Sequence, residues 1–80
     1  MTTDIIKCYV ACSVTETCIV EHQFAALQDG RVARCDVPFP TPHIGKTLKG
    51  RPMPWRIVDA IPAEAEYIGT YSAAEIHISN

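Results

Sequence analysis

The segment from residue 18 to residue 37, CIVEHQFAALQDGRVARCDV, decides the fold class of the chain. Apolar and polar side chains alternate along both halves of this segment, as they do in strands that bury one face. Asp29-Gly30 lies between the halves, and this dipeptide favours the tight turn of a β-hairpin because both residues tolerate positive φ. The segment therefore predicts two antiparallel strands joined at Asp29-Gly30.

A two-residue turn at Asp29-Gly30 also fixes which side chains of the two strands lie opposite each other. Counting outward from that turn keeps the apolar side chains of both strands on one face, which we expect to be buried. The predicted cross-strand pairs are Leu27–Val32, Ala26–Ala33, Phe24–Cys35 and His22–Val37.

A second alternating run extends from Ile5 to Val14 and predicts a further strand. Its even-numbered side chains are apolar and share one face. Together with the hairpin, this face gathers the cysteines of the chain and one histidine: Cys8, Cys12, Cys18, Cys35 and His22.

The cysteines have a structural interpretation and a metal-binding one. Their spacing lacks the paired C-x2-4-C motifs of structural zinc sites, and Cys8 and Cys12 would lie about 13 Å apart along a strand. We therefore expect buried thiols and no metal, because cysteine packs well as a small apolar side chain. A turn at Val14-Thr15-Glu16 would place Cys12 opposite Cys18, where a disulfide is geometrically conceivable.

A helix over residues 14–28 is the alternative to the second strand. Ser13-Val14-Thr15-Glu16 has the form of a helix capping box, and Gly30 is a residue type that commonly follows the end of a helix. Against the helix, residues 14–20 contain five β-branched side chains, which favour strands. The strand is the preferred interpretation, and the helix would make the fold α+β.

Residues 38–54 predict a loop, because their prolines and glycines interrupt any regular helix or central strand. Phe39, Ile44 and Leu48 are expected to hold this loop against the body of the domain. The residues after the loop predict three short elements. They are a strand at Trp55–Ile61, a helical turn near Pro62–Ile68 that competes with a strand there, and an edge strand at Glu75–Ile78.

These elements predict an all-β fold in one domain that spans residues 1–80. We expect a small antiparallel meander or a partly closed barrel with one short helical turn. Of the 80 residues, 48% are apolar and only 20% are charged, which is much apolar surface for so small a chain to bury. The excess predicts self-association or a tight partner.

The chain shows neither a signal peptide nor an apolar stretch long enough to cross a membrane, so we expect a cytoplasmic protein. The net charge of −2 conceals an uneven distribution. Residues 1–30 carry one lysine and four carboxylates, residues 31–56 carry six cations and one carboxylate, and residues 57–80 carry four carboxylates and no cation. Such segregation bears on the choice of partner rather than on the fold.

The basic part of the loop is the predicted binding site. It combines cations, which attract carboxylate or phosphate, with residue types that dominate interfaces, and its prolines lower the cost of ordering it. The predicted binding residues are Lys46, Lys49, Arg51, Met53, Trp55 and Arg56.

No motif predicts catalysis or a cofactor. Gly45-Lys46-Thr47 resembles the end of a phosphate-binding loop, but the first glycine of that motif is replaced by Pro40. His22 is expected to be a core side chain rather than the base of a cysteine nucleophile.

The leading functional hypothesis is therefore a non-enzymatic protein-interaction domain. It would act as an inhibitor or adaptor, of the kind that phages and mobile elements encode. Its basic loop would dock on an acidic surface of a larger complex, such as a nucleoprotein complex. A nucleic-acid-binding module that uses the same loop is the alternative, with Trp55 stacking on a base. The third hypothesis is a small enzyme whose site at an oligomer interface contains His22 or His77.

Overall fold

Five β-strands form one open sheet in the computed structural model, in the order β4-β3-β2-β1-β5. The structure describes residues 5–14, 19–38 and 43–78. All neighbouring strands are antiparallel, which confirms the predicted all-β meander. The strands are β1 (Ile5–Val14), β2 (Ile19–Ala26), β3 (Val32–Pro38), β4 (Arg56–Val58) and β5 (Glu66–Ser72).

The first strand has the predicted bounds, and β2 occupies the segment for which a helix over residues 14–28 was the alternative. The helix is wrong for residues 19–26. Residues 15–18 lie outside the described residues. Pairing of β2 with strands on both sides supplies hydrogen bonds along its whole length, which reinforces the strand preference of its β-branched start.

The helical turn lies later in the chain than predicted. Residues 62–65 form a turn closed by a hydrogen bond from the Ala65 amide to the Pro62 carbonyl (3.1 Å), and β5 begins directly after it. A 3₁₀ helix occupies Ala73–Glu75 instead. The helical signal at Pro62 is overridden because β5 pairs with β1, and such tertiary pairing routinely outweighs local propensity.

The strand predicted at Trp55–Ile61 is shorter in the structure, where β4 covers only Arg56–Val58. The predicted edge strand Glu75–Ile78 is also wrong. Its last residue instead forms an isolated parallel bridge with Trp55, whose amide donates to the His77 carbonyl (3.2 Å). The C-terminal segment thus reaches the start of β4.

The turn between β2 and β3 has three residues rather than two. The Leu27 amide donates to the Arg31 carbonyl (2.9 Å), the Gly30 amide donates to the Leu27 carbonyl (3.1 Å), and Gly30 has a φ of +90°. This is a three-residue hairpin loop with glycine at the left-handed position. The extra residue shifts the pairing by one.

The shift inverts the face on which every β2 side chain lies, because successive side chains of a strand point to opposite faces. The four predicted cross-strand pairs are therefore wrong. The observed pairs are Ala26–Val32, Ala25–Ala33, Phe24–Arg34, Gln23–Cys35 and His22–Asp36.

The hydrophobic core lies on the face that carries Gln23 and Ala25 of β2. The prediction of buried thiols is confirmed for Cys8 and Cys35, whereas Cys12 is exposed. His22 lies on the other face, so its predicted place among the cysteines is wrong. The core cluster contains Ile6, Cys8, Ala25, Ala33, Cys35, Val37, Ile44 and Trp55.

The conceivable disulfide between Cys12 and Cys18 is not supported by the register. Cys12 is a free thiol whose partner in β2 is Glu21, since the strands pair up to Val14 and Ile19. Cys18 itself lies outside the described residues.

The thiols of Cys12 and Cys35 should differ strongly in reactivity. Burial, followed by the neighbouring charge of Asp36, raises the pKa of Cys35 from 9.0 to about 11. At pH 8 this lowers its thiolate fraction about 100-fold, and the thiolate is the reactive form. Peptide mass spectrometry after brief iodoacetamide treatment should find Cys12 modified and Cys35 intact. Equal modification of the two in the folded protein would contradict the assigned burial.

Candidate binding surface

The loop between β3 and β4 contains a small second hairpin over residues 46–52, which we name the basic hairpin. Lys46 and Pro52 form a bridge, and the Thr47 amide donates to the Arg51 carbonyl (2.9 Å). The Gly50 amide donates to the Thr47 carbonyl (2.8 Å), and Gly50 has a φ of +84°. The predicted irregular loop therefore has an ordered tip.

The amide side chain of Gln23 holds the base of this loop on the core face of the sheet. Gln23 is fully buried. Its Nε2 donates to the His43 carbonyl (3.0 Å) and to a carboxylate oxygen of Glu21 (2.6 Å), while its Oε1 accepts from the Gly45 amide (2.7 Å). A buried amide with both ends satisfied fixes the backbone that it contacts, because breaking either bond would leave a polar group unpaired.

The indole of Trp55 is the second support of the loop. Trp55 is fully buried, and a Cβ placed on Gly45 would lie only 2.5 Å from its Nε1. Gly45 also has a φ of +69°, so glycine is required there both by space and by backbone conformation. The predicted role of Trp55 as an exposed contact is therefore wrong, and its ring is not accessible for base stacking.

The structure divides the predicted binding residues between the surface and the core. Trp55 belongs to the core cluster, and Met53 is half-buried and packs against it. Lys49, Arg51 and Arg56 are exposed, and Lys46 is half-buried. Lys46, Lys49 and Arg51 share the basic hairpin, whereas Arg56 lies on β4 opposite Arg34.

Leu48 is the surface residue that sequence reasoning placed wrongly. It was expected to hold the loop against the domain, but it lies at the tip of the basic hairpin with 61% of its surface exposed. Ile44 does pack in the core as expected, and Phe39 lies outside the described residues. The basic hairpin thus presents an exposed aliphatic side chain between cations.

The turn after β2 and the turn of the basic hairpin have the same backbone hydrogen bonds but different side chains at the tip. In the turn after β2, Asp29 accepts from the Arg31 amide (3.0 Å) and from its Nε (2.6 Å). The hydrogen bond from the Arg31 amide, and to a lesser extent the one from its side chain, holds the pKa of the Asp29 carboxyl below its usual range. Asp29 thereby pairs with Nε of the arginine that follows the glycine, while the terminal nitrogens of that arginine form no hydrogen bond among the described residues.

Lys49 occupies the corresponding place in the basic hairpin. The Arg51 amide donates to the Thr47 hydroxyl instead (3.1 Å). Within the part of the chain that the structure describes, the side chains of Lys49 and Arg51 form no ion pair. The tip therefore keeps two uncompensated cations.

A separate polar cluster crosses β2 and β3 on the face opposite the core. Arg34 Nε donates to Asp36 Oδ1 (2.9 Å), and His22 Nδ1 lies 2.7 Å from the same oxygen. Burial raises the pKa of the Asp36 carboxyl, but hydrogen bonds from Arg34 and His22 outweigh this and leave the pKa below its usual range. The Arg34 guanidinium also lies 5.9 Å from the centre of the Phe24 ring. These contacts give the cluster a structural role.

Among the described residues, no group of three or more histidine, cysteine and carboxylate side chains is arranged to hold a metal ion. The same residues include no helix that is long and apolar enough to cross a membrane. Comparisons with protein families, curated proteins and solved structures give no match to this chain.

Replacing Gln23 with leucine should destabilise the domain by about 1–3 kcal/mol, because the Gly45 amide loses its partner inside the protein. Urea unfolding monitored by far-UV circular dichroism measures this loss. The matched control is Gln28→Leu, at an exposed position in a turn, where we expect a change within about 0.5 kcal/mol. Equal stability of the two variants would contradict the bracing role of Gln23.

Asp36 should make the stability of the domain depend on pH in the acid range. Because the folded-state pKa of Asp36 lies below its ordinary value of 3.8, the ionised carboxylate contributes its full share to the free energy of unfolding above pH 3.8. This contribution is lost as the pH falls through the folded-state pKa. The difference in urea midpoint between wild type and Asp36→Asn should therefore be larger at pH 7 than at pH 2.5. A constant difference over this range would show that the ionised carboxylate does not stabilise the fold.

Proposed function

We propose that this chain is a non-enzymatic protein-interaction domain, an inhibitor or adaptor that docks its basic hairpin on an acidic surface of a larger partner. The observation that carries the proposal is the exposure of Leu48 between Lys46, Lys49 and Arg51 at the tip of an ordered hairpin. An aliphatic contact ringed by cations suits an apolar pocket bordered by carboxylates.

Comparison of the two turns supports a functional origin for this tip. The turn after β2 has Gln28 and Asp29 where the basic hairpin has Leu48 and Lys49, and Asp29 forms two local hydrogen bonds there. The basic hairpin lacks the acid that would satisfy its arginine and exposes a leucine to water. Residue choices that forgo local stabilisation are expected at sites selected for binding.

The contacts that hold the basic hairpin against the core favour binding as well. Gln23 and Trp55 hold the base of the loop against the core, so the tip is presented without first having to be ordered. Preorganisation of this kind improves affinity by lowering the conformational entropy lost on binding. We expect the described backbone to change little when the partner binds.

A protein partner is favoured over a nucleic acid by the burial of Trp55. Binding of single strands relies on aromatic side chains that stack on bases, and the exposed apolar residue of the basic hairpin is an aliphatic leucine. The acidic segments at residues 1–30 and 57–80 would also repel a polyanion. We further expect the apolar excess of the chain to be covered in a complex, with a partner or with a second copy.

The double substitution Leu48→Gln/Lys49→Asp tests the proposal without introducing a foreign turn, since it gives the basic hairpin the tip sequence of the turn after β2. We expect an unchanged or slightly raised melting temperature and loss of the partner. Affinity capture from lysate of the native host, with quantitative mass spectrometry, compares this variant with wild type.

Arg31→Gln is the control, because it removes a positive charge from the turn after β2, outside the basic hairpin, and should leave capture unchanged. Recovery of the same proteins by the double variant would refute the proposed surface. Recovery that disappears after nuclease treatment, or that falls steeply with salt in a purified complex with nucleic acid, would favour the nucleic-acid alternative.

A further inference from the structure

A cavity of about 300 Å³ lies beside the turn that follows β2, and no residue of the basic hairpin lines it. Its volume is at the lower end of the range found for small-molecule sites. Side chains from the start of β1, the turn, the 3₁₀ helix and the C-terminal segment form its walls: Ile6, Leu27, Gln28, Asp29, Arg31, Ala73, Ile76 and Ile78.

The interior of the cavity is aliphatic. Ile6 belongs to the buried core, while Leu27, Ile76 and Ile78 are half-buried and pack against it. Such a surface accepts a hydrocarbon chain, because transfer of each methylene group from water is favourable. A volume of this size accommodates a chain of roughly six to eight carbons.

The polar residues at the cavity include an ion pair, in which the Asp29 carboxylate orients the Arg31 guanidinium. Asp29 accepts a hydrogen bond from Nε of Arg31 at 2.6 Å, which fixes the guanidinium plane from one side. Within the described residues, the terminal Nη groups of Arg31 make no hydrogen bond. Those two nitrogens form the fork that pairs with both oxygens of a carboxylate.

We propose that this cavity binds a medium-chain aliphatic carboxylate, with the hydrocarbon against Ile6, Leu27 and Ile78 and the carboxylate on the terminal nitrogens of Arg31. The charge of the ligand complements the guanidinium, and its chain matches the aliphatic wall. This binding site is independent of the proposed docking surface, so the domain can respond to a small molecule at one end while it binds a partner with the basic hairpin.

Titration of the ¹⁵N-labelled protein with octanoate tests the site by NMR. We expect saturable shifts confined to the amides of Leu27 to Arg31 and Ile76 to Ile78, with a dissociation constant on the order of 1 mM or tighter. 1-Octanol, which has the same chain without the charge, should bind at least about tenfold more weakly. Absence of saturable shifts, or equal affinity for the alcohol, would overturn the proposal.

Variants separate this site from the proposed function. Arg31→Gln should weaken octanoate binding about tenfold or more while partner capture is unchanged. Ala73→Leu should block the cavity by filling it. Arg51→Gln, at the corresponding position of the other hairpin, should bind octanoate like wild type. Wild-type affinity in Arg31→Gln, or an equal loss in Arg51→Gln, would show that Arg31 does not hold the carboxylate.

Discussion

The conformation of Gly30 is the constraint on which the rest of the structure depends. Its positive φ completes a three-residue turn, and that turn fixes the register between β2 and β3. The register in turn decides which face of β2 meets the core. It places Gln23 on the buried side, where the amide holds the loop that carries the basic hairpin. The position of the proposed binding surface thus follows from a turn on another part of the sheet.

The sequence was sufficient to predict β1, β2 and β3, but not the register between β2 and β3. Alternation marks β1 clearly, since its polar and apolar side chains separate well. In β2, however, both faces contain apolar side chains, with Phe24 and Ala26 on one and Ala25 and Leu27 on the other. Local pattern therefore does not choose between them. Asp29-Gly30 is compatible with turns of two or three residues, and the choice depends on which alignment packs the whole sheet.

For the proposed binding surface, the exposure of the cations was predictable from the sequence, but the exposure of the apolar residues was not. Lys49 and Arg51 are exposed as their charge suggests, because burying an unpaired cation is costly. Leu48 was expected to pack against the domain and is exposed, whereas Trp55 was expected to be exposed and is buried. Hydrophobicity alone favours burial of both, and only the geometry of the loop shows that Gly45 makes room for the indole. The leucine is left at the tip of a hairpin whose turn points away from the core.

The same backbone turn occurs after β2 and in the basic hairpin, with different side chains at its tip. After β2, its aspartate satisfies the arginine and leaves one side of the guanidinium available beside an aliphatic cavity. In the basic hairpin, a lysine replaces the aspartate, and among the described residues the side chains of Lys49 and Arg51 form no ion pair. The backbone of the turn is therefore a scaffold, and the residue before the glycine determines what the turn presents to solvent.

The register between β2 and β3 is tested most directly by nuclear Overhauser effects between backbone protons of the two strands. The structure predicts contacts between the α-protons of Phe24 and Arg34, and between those of His22 and Asp36. Contacts between the α-protons of Ala25 and Arg34, and between those of Gln23 and Asp36, would instead show a two-residue turn. They would remove Gln23 from the core and the physical basis for the position of the basic hairpin.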